Sequence, residues 1–224
     1  MIYLDNAATT LRKPPAVTRA VQEALRRGGG AGRGGHHAAM WSADILLSCR
    51  QEAAHLFGVS DPERITFTMN ATHALGIAIG SVAAKPGRIV TSGFEHNAVM
   101  RPLEALKEKG FSVRVLRMPL FEPEVALHRF EEALENDVSF AVCTHVSNVF
   151  GYILPVERIA KLCQDKKIPL VIDASQSAGC LPLDAGSLPA AYIGMPGHKG
   201  LLGPQCLHNS KALKNFVWQI EGAI

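Results

Sequence analysis

Short apolar segments alternate with amphipathic helical patterns along most of this 224-residue chain. Apolar segments this short are typical of strands that are buried on both faces of a sheet. Their alternation with helices favours an α/β domain, in which a mainly parallel sheet is covered by helices on both faces. We predict strands at about 64–68, 88–92, 113–116, 139–143, 169–173 and 191–193. We predict helices at about 16–27, 38–57, 71–84, 98–109, 122–134 and 156–166.

Length, charge and cysteine content limit the class of protein. A chain of 224 residues can bury one large core, or one domain and a fragment of a second. Its net charge of +3 is too small and too scattered to predict nucleic-acid binding. No apolar stretch reaches the roughly 18 to 20 residues of a membrane span, and the N-terminus does not resemble a signal peptide. The five cysteines form no C-x-x-C pair, so we predict reduced thiols in a cytoplasmic protein.

Polar residues directly follow five of the predicted strands. In a parallel sheet, ligands collect at the carboxyl ends of the strands. One polar loop there would mean little, but five loops that meet at one edge predict a binding site. These polar segments are 70–73, 94–97, 145–148, 173–176 and 197–199.

Lysine and aspartate are the most informative of these polar residues. Lys199 is flanked by small residues and a histidine, and a partly desolvated lysine amine is a usable nucleophile that can form a Schiff base. Asp173 ends a buried strand, where a carboxylate could keep a pyridine nitrogen protonated. Thr72 begins an apolar helix, whose N-terminus could bind a phosphate. These residue types are the parts of a pyridoxal-phosphate site.

Three further residues fit the same site. His96 could lie flat on an aromatic ring, and Asn148 and Gln176 could donate hydrogen bonds to a ring hydroxyl. Each candidate also has a structural interpretation. Strand-end Asp and helix-start Thr residues usually cap helices, and a lone lysine is usually solvated. His96 could be a surface-loop residue, and Asn148 and Gln176 could be turn residues. Only the joint arrangement of the candidates favours the functional interpretation.

A nucleotide-binding α/β domain is the alternative class. Residues 30–35 match the G-x-G-x-x-G pattern, but they follow a predicted helix, whereas a dinucleotide site needs a preceding strand. The histidines at 36, 37 and 55 show no zinc-ligand spacing with a cysteine pair, so we predict no metal site.

Sequence blocks in the right order resemble the class V aminotransferase-fold family of pyridoxal-phosphate enzymes, in its cysteine desulfurase-like branch. The resemblance implies the large domain of fold type I, a homodimer with the site at the subunit interface, and cysteine or a related amino acid as substrate. The blocks lie at 3–10, 32–36, 67–72, 95–97, 145–148, 173–176 and 197–205.

The resemblance also implies a role for each matching residue. Lys199 resembles the lysine that forms the internal aldimine, Asp173 the partner of the pyridine nitrogen, and His96 the ring-stacking histidine. These three residues are the predicted catalytic set. The remaining predicted cofactor-binding residues are Asn148 and Gln176 near the ring oxygen, and Ala71, Thr72 and His198 at the phosphate.

Two departures from the family pattern affect these expectations. Pro196 stands where many members have a phosphate-binding Ser or Thr, so one phosphate contact is lost or replaced. After Gln205 the resemblance ends. We therefore expect a large domain at 1–205 with an N-terminal arm at about 1–15, a divergent tail at 206–224 without the strand that closes the family's sheet, and no small C-terminal domain.

The same departure limits what can be expected of catalysis. The family's sulfur-accepting cysteine and the arginine that binds the substrate carboxylate have no counterpart in this sequence. Cys206 does not fit the role of the catalytic thiol, and Cys143, Cys163 and Cys180 fit buried structural thiols. Three hypotheses remain: a desulfurase-type enzyme, a pyridoxal-phosphate-binding protein without independent turnover, and an unrelated nucleotide-binding α/β domain.

Overall fold

A computed structural model describes residues 2–32, 34–135, 137–204 and, for the backbone, 217–221. The predicted alternation is confirmed, and most element boundaries agree with the expected ones within two residues. The helices are α1 (Pro15–Arg27), α2 (His37–Leu56), α3 (Ala71–Val82), α4 (Asn97–Lys107), α5 (Pro123–Ala133) and α6 (Val156–Asp165). The strands are β1 (Ile65–Thr68), β2 (Arg88–Ser92), β3 (Ser112–Leu116), β4 (Val138–Thr144), β5 (Leu170–Asp173), β6 (Tyr192–Pro196) and β7 (Val217–Glu221).

The strands form one sheet in the order β1-β7-β6-β5-β4-β2-β3. The five strands from β6 to β3 are parallel, and β7 runs antiparallel to both of its neighbours, β1 and β6. The expectation that residues 206–224 lack a strand is therefore wrong, because β7 lies between β1 and β6. Since β7 is antiparallel to both, β1 points the same way as β6, and its carboxyl end reaches the same edge of the sheet.

Alternate residues of the central strands enter two separate cores. On one face, Phe140 and Val142 of β4 pack with Val171 and with the buried sides of α3 and α4. On the other face, Ala141 and Cys143 pack with residues of α2, α5 and α6. This alternation follows from the two-residue period of a strand. The predicted sheet with helices on both faces is thus confirmed. Because both faces are covered, a site has room at the carboxyl ends of the strands.

No helix among the described residues is both long enough and apolar enough to cross a membrane. Within the same residues, no group of three or more His, Cys, Asp or Glu side chains is arranged to hold a metal ion.

Candidate active site

A cavity of about 470 Å³ lies at the carboxyl ends of the strands. Loops that follow β1, β2, β4, β5 and β6 form most of its wall, and the N-terminal arm contributes Asp5, Ala7 and Ala8. All the residues predicted for the site line this one cavity. They are Ala71, Thr72, His96, Asn148, Asp173, Gln176, His198 and Lys199.

The lysine and the aspartate of the cavity influence each other's charge. Asp173 is only 3% exposed, and burial raises the pKa of its carboxyl, while Ser175, Lys199 and His96 lower it. Burial lowers the pKa of the half-buried Lys199 amine, and Asp173 opposes that shift. A lowered amine pKa increases the fraction of neutral, nucleophilic lysine near neutral pH. The Ser175 amide holds the Asp173 side chain in place, since its N–H donates to Oδ1 at 2.9 Å.

Helix α3 points its N-terminus at the cavity. Asn70 caps it: the Asn70 side-chain oxygen accepts a hydrogen bond from the His73 amide at 2.8 Å. The amides of Ala71 and Thr72, in the first turn, have no acceptor within the helix. Together with the helix dipole they make a site for an anionic group.

We expect Asn70→Ala to lower the free energy of unfolding by about 0.5–2 kcal/mol, the usual cost of losing an N-cap. Asn70→Ser keeps an acceptor for the His73 amide and should recover most of that loss. Urea denaturation of both variants measures the difference. Equal losses in the two variants would contradict a capping role for Asn70.

His96 is the N-cap of α4, and this placement fixes its ring. Nδ1 accepts a hydrogen bond from the Ala98 amide at 3.0 Å, so in this arrangement Nδ1 carries no proton. His96 therefore caps a helix and also lines the cavity. Gln176 donates to the Ala7 carbonyl at 3.0 Å, and Asn148 is exposed to the cavity.

Glu95 is a residue of the site region to which the sequence analysis assigned no role. Its Oε1 accepts hydrogen bonds from the Ser92 hydroxyl and, at 2.8 Å, from the Thr144 amide. Its Oε2 is buried without a partner in the described part of the chain. Burial raises the pKa of this carboxyl to about 8, with a smaller contribution from Asp173. The sequence feature that could have pointed to Glu95 is its position next to His96, shortly after a predicted strand.

The raised pKa of Glu95 predicts a pH dependence of stability. The folded protein holds this proton more tightly than the unfolded chain, whose carboxyl has a pKa of 4.5. Between pH 4.5 and about 8 the folded state therefore binds more protons, so the Glu95 contribution to stability falls as pH rises. We expect Glu95→Gln to remove this component and flatten the profile of unfolding free energy over that range. Parallel profiles for the two proteins would contradict the assignment.

The N-terminal arm holds the loop that carries Lys199. The carbonyl oxygen of His198 accepts from the Thr10 amide at 3.3 Å and from the Lys13 amine at 2.8 Å. The hydroxyls of Thr9 and Thr10 each lie 3.1 Å from the same oxygen. These contacts were missed, because they join residues almost 190 positions apart; the only sequence signal was the block at 3–10.

Close packing of two loops also positions Lys199. Gly179 has a φ of +79°, and a Cβ added there would lie 2.5 Å from the Gly200 carbonyl carbon. A Cβ on Gly200 would lie 2.3 Å from the Ala178 carbonyl oxygen. Glycine at both positions therefore allows the loop after Lys199 to pack directly on the turn that follows Asp173.

The other sequence predictions had mixed outcomes. Cys143 and Cys163 are buried, as expected, and burial raises the pKa of both thiols. The prediction for Cys180 is wrong, since this thiol is exposed in a turn. Cys206 lies outside the described residues.

Pro196 ends β6 and lines the cavity. The glycine-rich segment 30–35 lies between α1 and α2, so it does not follow a strand as a dinucleotide-binding segment would.

The donor set of the cavity fits pyridoxal phosphate. It contains an amine for the aldehyde, a buried carboxylate for the ring nitrogen and free helix amides for the phosphate. Together with the doubly covered sheet, these features are those of a large domain of fold type I pyridoxal-phosphate proteins.

Comparison with known proteins places the chain within that class. The sequence model of the Aminotransferase class-V family matches residues 2–207, and the chain belongs to this family. Its members are pyridoxal-phosphate-dependent. This membership argues against the alternative of an unrelated nucleotide-binding domain.

Individual relatives are cysteine desulfurases. A probable cysteine desulfurase of Methanothermobacter thermautotrophicus is 31% identical over 208 residues, which cover 91% of this chain and 50% of that protein. The cysteine desulfurase IscS of Shewanella sediminis is 35% identical over 211 residues, which cover 91% of this chain and 51% of the relative. The apo structure of the cysteine desulfurase from Thermococcus onnurineus NA1 superimposes with a TM-score of 0.84 at 29% identity, covering 98% of this chain and 53% of that one. The chain thus spans about half the length of the relatives it matches.

Proposed function

We propose that this chain binds pyridoxal phosphate in the cavity at the strand ends and supplies the cofactor-binding part of a cysteine desulfurase-type site. One observation carries the proposal: the eight residues predicted from the sequence line a single cavity, with Lys199 and the buried Asp173 in it. The family and the names of the relatives support the same conclusion.

Each residue has a task in this proposal. When bound, pyridoxal phosphate supplies an aldehyde that captures amines and a ring that withdraws electrons from the substrate. The Lys199 amine is the protein's nucleophile for that aldehyde and later moves protons at the substrate carbon. The Asp173 carboxylate holds a proton on the ring nitrogen, and the first turn of α3 binds the phosphate.

Three more roles complete the site. His96 would pack on the cofactor ring, while Asn148 and Gln176 would bind the ring oxygen. His198 joins Ala71 and Thr72 at the phosphate, where Pro196 offers no donor. These assignments rest on the match to the family motifs and on the common cavity.

The proposed substrate is cysteine or a related amino acid, and the proposed assembly is a homodimer. Apolar side chains beside the cavity support a covering partner: Met69 is 58% exposed, Val149 72% and Phe150 50%. They adjoin Asn70 and Asn148, which line the cavity. A cytoplasmic location stays a prediction from the sequence.

A second candidate function is cofactor binding without independent turnover. The observation that favours it is that neither a cysteine nor an arginine stands among the described residues that line the cavity. Release of alanine and sulfur from cysteine by the holoprotein would favour the enzyme, and cofactor binding without release would favour the second candidate.

Titration with pyridoxal phosphate tests the proposal. We expect a saturable absorbance band near the visible edge, which borohydride abolishes by reducing the covalent adduct. Peptide mapping of the reduced protein should place the modification on Lys199. No saturable band, or a modification spread over surface lysines, would contradict the proposal.

A further inference from the structure

The direction of one hydrogen bond decides what His198 offers to the cavity. The Nδ1 atom of its ring lies 3.0 Å from the hydroxyl oxygen of Thr9. A neutral imidazole carries one proton, on either Nδ1 or Nε2, and a hydroxyl has one proton to donate. If Thr9 donates to Nδ1, the ring proton is on Nε2, which is then a donor. If the ring donates to Thr9, Nε2 is a bare acceptor.

Neighbouring donors decide between these two directions. The Thr9 hydroxyl could also donate to the His198 carbonyl oxygen, 3.1 Å away. That oxygen has two lone pairs and already accepts from the Lys13 amine and the Thr10 amide. The bond from Lys13 is charge-assisted and therefore strong. Nδ1 of His198 is thus the acceptor that remains for the Thr9 proton.

The Thr10 hydroxyl does not disturb this arrangement, because it has another acceptor. It lies 3.3 Å from the carbonyl oxygen of Lys199 and can donate there. The Lys13 amine donates to the same Thr10 oxygen, which points the hydroxyl proton away from Lys13. In this assignment no acceptor takes more than two protons and every hydroxyl proton has an acceptor.

The surroundings of the ring favour its neutral form. Burial lowers the pKa of His198, and the positive charges of Lys199 and Lys13 lower it further. The other ring nitrogen, Nε2, makes no hydrogen bond within the described chain, and the ring lines the cavity. The backbone of Thr9 is itself held, since its carbonyl accepts from the Tyr3 hydroxyl at 2.9 Å.

We propose that Thr9 is a positioning residue that holds His198 as the Nε2–H tautomer and so presents a neutral hydrogen-bond donor to an anionic ligand group in the cavity. Resting on the proposed function, the inference makes that group the cofactor phosphate. Thr9 touches no ligand in this proposal and acts only through the His198 ring. The N-terminal arm thereby has a chemical task in addition to packing against the Lys199 loop.

Ring ¹⁵N spectra of the cofactor-free protein near neutral pH test the tautomer directly. The signals of His198 are identified by their absence from a His198→Gln variant. We expect an unprotonated Nδ1 and a protonated Nε2, and a change of the Nδ1 shift in Thr9→Val that Thr9→Ser reverses. A protonated Nδ1 in the unmodified protein, or identical ring shifts in Thr9→Val, would overturn the proposal.

Cofactor affinity provides the second readout. Loss of one neutral hydrogen bond predicts a Kd for pyridoxal phosphate that rises about 3- to 10-fold in Thr9→Val. Thr9→Ser should restore it, and Thr18→Val, on the exposed surface of α1, should leave it unchanged. An unchanged Kd in Thr9→Val would overturn the link to the ligand. Failure of every variant and of the unmodified protein to bind the cofactor would refute the proposed function instead, while the spectra would still decide the tautomer.

Discussion

Lys199→Ala is expected to abolish the covalent adduct with pyridoxal phosphate, because Lys199 is the one lysine among the described residues that line the cavity. The reducible absorbance band should fall to background, and residual binding should be non-covalent and reversible by dialysis. Lys199→Arg should fail in the same way. It keeps the positive charge, but a guanidinium stays protonated and cannot attack an aldehyde.

Two observations would separate this result from unfolding or from non-specific lysine chemistry. Lys85→Ala removes an exposed loop lysine that does not line the cavity, so it should leave the absorbance band unchanged. Circular dichroism of Lys199→Ala should match the unmodified protein, since removing a partly buried amine opens no core cavity. A full-strength reducible band in Lys199→Ala would exclude Lys199 as the covalent site.

Asp173→Ala is expected to weaken cofactor binding by about 2–5 kcal/mol, or roughly 30- to several-thousand-fold in Kd. The reason is that a ring nitrogen buried in the cavity would lose the charge that keeps it protonated. Asp173→Asn preserves an acceptor for the Ser175 amide while removing the charge, so it separates lost charge from lost packing. Absorbance titration gives both affinities.

Stability measurements control for damage to the fold. Because burial raises the pKa of Asp173, its ionised form is disfavoured in the cofactor-free protein. Neutral Asn should therefore not destabilise that protein, although it weakens cofactor binding. Asp44→Asn, on the exposed surface of α2, should change neither property. Unchanged cofactor affinity in both Asp173 variants would rule out the proposed contact with the ring nitrogen.

The predictions that succeeded depend on local pattern. Each of the six parallel-pointing strands was found from a short apolar run, and the helices between them from their periodicity. β7 was missed because it is a single antiparallel strand inserted between β6 and β1, and β1 lies about 150 residues away in sequence. Cys180 was misplaced because a turn can expose a residue whose neighbours in the sequence are apolar.

Long-range contacts explain what the site predictions lacked. Lys199, Asp173 and His96 were found because a parallel sheet brings strand ends together whatever the loops contain. The roles of Glu95 and Thr9 were not found. The Glu95 carboxyl is buried because the loop after β2 packs against the end of β4, where the Thr144 amide donates to it. The Thr9 contact forms because the N-terminal arm packs on the loop after β6, which carries His198.

By itself the sequence determined the class of fold, the edge of the sheet that bears the site and the residue types offered there. Periodicity and strand-end position are properties of neighbouring residues, so they are visible in the order of amino acids. Only the tertiary structure decided how deeply Asp173 is buried, which groups surround Lys199 and which hydroxyl contacts the His198 ring. Desolvation, charge interactions and hydrogen bonds act between atoms that are close in space. Thr9, Thr10 and Lys13 of the N-terminal arm meet His198 only after folding.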